Sequence, residues 1–199
     1  SRLKNLGVSI LLGYNSFSPK IQDKMVGGVN GYTTIRNRAL ELLVEAGFNS
    51  SNPTRLGLIL APLTNENYDE AFEIYVWARR RNLYPVITPT MISGIMKNND
   101  FWRKITPSED KLVQLYSKIY KFNIDNNIQS LEQIIDEGIS AYAGVHPCNQ
   151  VSTGLYVTYT GIVISCPGND NKYLGDVNND SLANIRDRHN EKYKPFFNN

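Results

Sequence analysis

Three short apolar runs, over residues 7–14, 55–61 and 84–89, constrain this chain more than any other feature. The first holds Gly7-Val8-Ser9-Ile10-Leu11-Leu12, the second Leu56-Gly57-Leu58-Ile59-Leu60, and the third Tyr84-Pro85-Val86-Ile87-Thr88-Pro89. None alternates polar with apolar, the pattern of strands buried on both faces and hence of a parallel sheet. The prolines of the third run suit its ends better than its middle. Helical signals fill the gaps. Ser18 is placed as an N-cap with Pro19 at the first helical position, opening a short helix to Met25. Gly27-Gly28 and Asn30-Gly31 form a loop. Over 33–46, Ile35, Ala39, Leu42, Leu43 and Ala46 fall on one helical face, with Gly47 as the stop. After the second run, Asn67 and Glu70 stand in a capping-box relation before a helix that buries Tyr68, Ala71, Phe72, Tyr75 and Ala78.

Strand, helix, strand, helix, strand with connections of this length is a pair of right-handed βαβ crossovers, the unit of doubly wound sheets and of β/α barrels. In either, chemistry gathers where the strands end, at Asn15-Ser16, 62–67 and 89–94. Three strands neither close a barrel nor protect their own edges, so the chain reads as half of something. A buried strand this close to Ser1 points to sequence upstream.

Beyond Gly94, Thr106-Pro107-Ser108-Glu109 is a capping signature with Thr106 as N-cap, and the helix it opens buries Leu112, Leu115, Tyr116, Ile119 and Tyr120. Another helical piece carries Leu131, Ile134 and Ile135. Phe101, Trp102 and Tyr142 are candidates for a substrate cleft or for the core. Then Leu155-Tyr156-Val157-Thr158-Tyr159, Thr160-Gly161 and Ile162-Val163-Ile164 read as a β-hairpin. A two-residue turn pairs Tyr159 with Ile162, Val157 with Ile164 and Leu155 with Cys166. That brings Cys166 toward Cys148, although seventeen residues separate the chain's two cysteines. Three readings of the pair stand together: packed thiols, a disulfide, and metal or iron–sulfur ligation.

The remaining features are quieter. The net charge is +2 with 20% charged residues, which gives no field suited to nucleic acid or acidic lipid. The one basic run, Arg79-Arg80-Arg81, sits at a helix end, where cations suit the macrodipole. No membrane span or signal peptide is visible, and two cysteines in 199 residues fit a reducing cytosol, hence a cytoplasmic protein. His146 and His189 are the only histidines; His146, two residues before Cys148, is a candidate third ligand or proton donor. Asp170, Asp176 and Asp180 lie among Asn and Gly but lack EF-hand spacing, so they read as turn chemistry.

The spacing Cys148-x12-Gly161-x4-Cys166, with Leu174-Gly175-Asp176-Val177 and Ser181-Leu182-Ala183-Asn184-Ile185 behind it, resembles the SPASM or twitch extension of radical SAM enzymes. The order of units before it resembles the second half of the partial barrel of that family. The resemblance implies an α/β fold of parallel βα units forming part of a partial TIM-type barrel, with a small C-terminal β-hairpin extension. The division would fall into a barrel segment over 1–140 and an extension over 141–199. It implies Cys148 and Cys166 as metal ligands. It implies S-adenosylmethionine contacts from Asn15 and Ser16, from Arg55 toward the carboxylate, from Asn65 in the turn after the next strand, and from Met91 and Gly94 near the adenine.

The pattern is incomplete. No Cys follows Cys166, and two thiolates do not fill the four-cysteine ligation of an ordinary cluster. The Cys-x-x-x-Cys-x-x-Cys loop that holds the SAM-cleaving 4Fe–4S cluster is absent from these 199 residues. A missing N-terminal half would carry it, and would be this chain's partner. The expected function is then part of a radical SAM enzyme that forms a 5'-deoxyadenosyl radical to modify a substrate, a peptide, protein or small molecule. The alternative is a non-catalytic α/β binding or scaffolding module with structural cysteines.

Overall fold

Chain order and spatial order coincide in the larger part of the molecule, and that sets where its helices lie. The computed structural model describes residues 2–90, 97–137, 155–165 and 173–193. After α1 (Arg2–Asn5) come β1 (Ile10–Gly13), α2 (Pro19–Met25), α3 (Tyr32–Glu45), β2 (Leu56–Leu63), α4 (Tyr68–Arg79) and β3 (Tyr84–Pro89). The strands pair in parallel in the order β1-β2-β3. Right-handed crossovers that always step the same way place successive helices on the same side of the sheet. Accordingly Leu56, Leu58, Leu60 and Ile87, which share one face by register, form a single core with Leu40 of α3 and with Ala71, Ile74, Tyr75 and Ala78 of α4. Among the described strands the order never reverses, whereas a doubly wound sheet requires a reversal, and they do not close into a barrel.

The parallel sheet matches the reading of the apolar runs, but β1 is not buried on both faces. It lies at an edge, and Leu11 is 54% exposed. On that second face Leu11, Gly57, Ile59, Tyr84 and Val86 lie in register, and Ile59 and Val86 are half-buried. The apolar stripe of α3 also differs from the expected one. Ile35 and Leu42 are exposed, while Thr33, Arg36 and Leu40 face inward. The reason is Arg36, whose guanidinium lies 3.6 Å from the centre of the Tyr14 ring and fixes the helix's rotation.

Three further helices follow: α5 (Asn99–Ile105), α6 (Glu109–Asp125) and α7 (Leu131–Glu137). Helix α6 adds Leu115, Tyr116 and Ile119 to the core, as its periodicity predicts. Its N-cap is Ser108, whose hydroxyl accepts from the Lys111 amide at 3.4 Å, not Thr106. Thr106 is extended backbone that ends α5, so the capping signature places the cap two residues too early.

A second, antiparallel sheet is built from β4 (Tyr156–Val157), β5 (Ile162–Ile164) and β6 (Tyr173–Asp176), followed by α8 (Leu182–Tyr193). Its own small core holds Val163, Leu174, Ile185 and Tyr193. The hairpin is one residue out of the expected register: Tyr156 faces Ile164 and Val157 faces Val163. The loop is three residues long, closed by the Thr158 amide on the Ile162 carbonyl at 2.8 Å, with Gly161 at φ 91°. Such a loop ends in a left-handed residue that forms a bulge, and it moves every side chain beyond it to the other face. The strand β6 extends the sheet beyond the hairpin expected.

Candidate functional site

Because the strands are parallel, the segments leaving β1 and β2 emerge at one edge of the sheet, and a buried polar cluster forms there. Tyr14 continues the ladder past β1, its amide donating to the Ile59 carbonyl at 2.8 Å. At the next step a side chain takes over, and Asn15 Oδ1 accepts from the Ala61 amide at 3.0 Å. The turn that follows is clamped from both adjoining helices. Gln22 of α2 accepts through Oε1 from the amides of Asn15 at 2.8 Å and Ser16 at 3.2 Å. Glu70 of α4 accepts through Oε2 from the Ser16 hydroxyl at 2.6 Å and the Phe17 amide at 2.7 Å. The Ser16 hydroxyl in turn accepts from the Ser18 amide at 2.9 Å.

Asn67 joins this turn to the end of β2. Its Oδ1 accepts from the Thr64 amide at 2.8 Å, and its Nδ2 donates to the carbonyls of Asn15 at 3.1 Å and Pro62 at 3.2 Å. The expected capping box of Asn67 and Glu70 is therefore not made, and Asn67 has no capping bond to α4. Buried main-chain groups at the strand ends, cut off from water, are the costlier ones to leave unpaired.

Arg36 completes the cluster from α3 and is only 2% exposed. Its Nη1 donates to Gln22 Oε1 at 2.8 Å and to the Ser16 carbonyl at 3.3 Å, and its Nε donates to Asn37 at 2.9 Å. Burial lowers its pKa from the ordinary arginine value, opposed by the charges of Tyr14, Tyr32 and Asp23. Burial raises the pKa of Tyr14, opposed by Arg36. Asp23 is held below the usual carboxylate range, chiefly by the Thr33 hydroxyl at 2.6 Å, and it also receives the amides of Thr33 and Gly31. Its carboxylate thus occupies the amino end of α3, where the helix dipole favours a negative charge.

The structure brings Asn15 and Ser16 together, 7% and 0% exposed, with their polar groups engaged by the protein itself. Arg55 is not with them. It precedes β2, donates from Nη1 to the Lys4 carbonyl at 3.2 Å, and lies at the opposite edge of the sheet, about 20 Å away at the usual rise per residue. Asn65 is exposed and holds the end of α5: its amide donates to the Ile105 carbonyl at 2.7 Å, and Nδ2 to those of Lys104 and Thr106. Met91, Gly94, His146, Cys148 and Cys166 lie outside the described residues. Among the described residues, no group of three or more His, Cys, Asp or Glu side chains is placed to hold a metal ion.

Sequence reasoning missed Gln22, Arg36 and Asn67 as members of this cluster. One signal was available for Arg36, which shares a helical face with Thr33 and Leu40. The chain matches no family model, and neither curated proteins nor solved structures yield a match.

Proposed function

We propose that this chain is the C-terminal part of a radical SAM enzyme with a reduced SPASM or twitch-like extension. In that reading the three parallel βα units are a segment of a partial TIM-type barrel, and the antiparallel unit with α8 is the extension. The parent reaction is formation of a 5'-deoxyadenosyl radical from S-adenosylmethionine, which then modifies a peptide, protein or small molecule. The 4Fe–4S cluster that cleaves the cofactor belongs to an N-terminal half, the partner of this chain. The observation that carries the reading is the one-way strand order, with α3 and α4 packed on one face and the apolar row Leu11, Ile59 and Val86 left toward the other. Such an arrangement supports a barrel wall, whose inner face is packed by apolar side chains and whose chemistry lies at the carboxyl ends of the strands.

The donor set bounds what this chain does alone. Cys148 and Cys166 are half of a four-thiolate set, so these two thiolates alone do not complete a cluster of that kind. Asn15 and Ser16 would hold the shape of the cofactor side and exclude water from it. A second reading, a non-catalytic α/β binding or scaffolding module, is favoured by the internal hydrogen bonding of Asn15, Ser16 and Asn65. Anaerobic reconstitution with iron and sulfide, read by absorption and EPR, separates them. The first reading expects bound iron that a Cys148→Ala, Cys166→Ala variant loses. Wild-type protein that binds none, with no three-cysteine motif upstream in its reading frame, overturns it.

A further inference from the structure

The cluster at the end of β1 contains a buried charge, Arg36, that makes no salt bridge among the described residues. Asp23 favours its charge from a distance but is hydrogen-bonded to the start of α3, and Glu70 is hydrogen-bonded to Ser16 and Phe17. The acceptors that Arg36 does reach, on Ser16, Gln22 and Asn37, are neutral. Its remaining nitrogen, Nη2, is buried with no acceptor, and so is Nε2 of Gln22, which is 0% exposed. The Gln22 amide is not free to turn over, because Oε1 receives three N–H donors, from Asn15, Ser16 and Arg36. Its Nε2 is therefore fixed as a donor without a partner. Buried charges in proteins are ordinarily paired, and two buried donors on directly bonded side chains call for an acceptor that carries negative charge.

We propose that Arg36 Nη2 and Gln22 Nε2 bind an oxyanion, a carboxylate or a phosphate, at the carboxyl end of β1. Carboxyl ends of parallel strands are where α/β folds seat their ligands. The planar guanidinium suits both anions, and stacking on Tyr14 holds it in place. The site does not depend on the radical SAM reading, since every residue in it lies on β1, α2 or α3 or in their connections.

The test is thermal unfolding in a zwitterionic buffer at fixed ionic strength, with sodium chloride, sodium acetate or sodium phosphate as the added salt. A specific oxyanion raises Tm logarithmically with concentration, by about 5–10 °C at a hundred times its Kd. A rise in phosphate alone assigns a phosphoryl ligand, and one in acetate alone a carboxylate. Arg36→Met abolishes the rise, whereas Arg36→Lys keeps a reduced one. Isothermal titration of the wild type with the same two salts keeps the test independent of how the variants fold. Equal melting in all three salts with no heat of binding, or a rise that survives in Arg36→Met, overturns the proposal.

Discussion

Replacing Asn67 by Ala removes the link that crosses from the end of β1 to the end of β2. The side chain is 0% exposed and serves one amide and two carbonyls, of Thr64, Asn15 and Pro62, at 2.8, 3.1 and 3.2 Å. Thr64 and Asn15 are themselves buried, so water does not replace the lost partner. Leaving a buried polar group unsatisfied costs about 1–3 kcal/mol, and the Pro62 carbonyl is less enclosed than the other two. The expected loss is therefore about 3–5 kcal/mol, a large share of the 5–15 kcal/mol typical of a folded domain. Urea unfolding followed by circular dichroism reads it as a lowered midpoint with an unchanged slope. Asn67→Asp sharpens the test, because it keeps the acceptor but turns a carboxylate oxygen toward two carbonyls. Burial there raises the carboxyl pKa above its unfolded value of about 3.9, so its deficit grows as pH rises from about 4. A loss under about 1 kcal/mol in Asn67→Ala, or an Asn67→Asp deficit that ignores pH, would refute the account of this cluster.

Asp23→Asn tests the carboxylate at the start of α3. The folded-state pKa is lowered, so its contribution is present above the unfolded value and disappears as pH falls through the folded one; the wild-type advantage in Tm should shrink only on that acid limb. Gly161→Ala should destabilise the small sheet by about 1–3 kcal/mol, since φ is 91° and a Cβ would collide with Asn178 Nδ2. Gly27→Ala, with φ 89° and nothing within 4 Å, bears the backbone strain alone and should cost less in the same denaturation assay. Asn65→Ala removes two bonds to the end of α5, at 3.1 and 3.3 Å, and should speed amide exchange across Asn99–Ile105 several-fold; unchanged protection there refutes the clamp.

What the amino-acid order determined was periodic and local. Unbroken apolar runs specified parallel strands, and the spacing of Leu112, Leu115, Tyr116 and Ile119 specified which side of α6 is buried. Pairing in β2 and β3 needs only such patterns together with the handedness of the crossovers. Even locally, a rival geometry shifted two predictions: the three-residue loop at Gly161 moved the hairpin by one position, and the extended backbone at Thr106 moved the start of α6. Asn15, Ser16 and Asn65 were legible as strand-end polar residues, but their partners were not.

The polar cluster was decided by tertiary structure alone. Ser16 and Glu70 are 54 residues apart, Asn15 and Asn67 are 52 apart, and Arg36 reaches back 20 to the Ser16 carbonyl. No period in the sequence connects such pairs. They meet because parallel strands put all their carboxyl ends on one edge, where main-chain groups without a ladder partner must find side chains in place of water. The same geometry separates Arg55 from Asn15, since a residue that starts a parallel strand stands a full strand length from one that ends its neighbour.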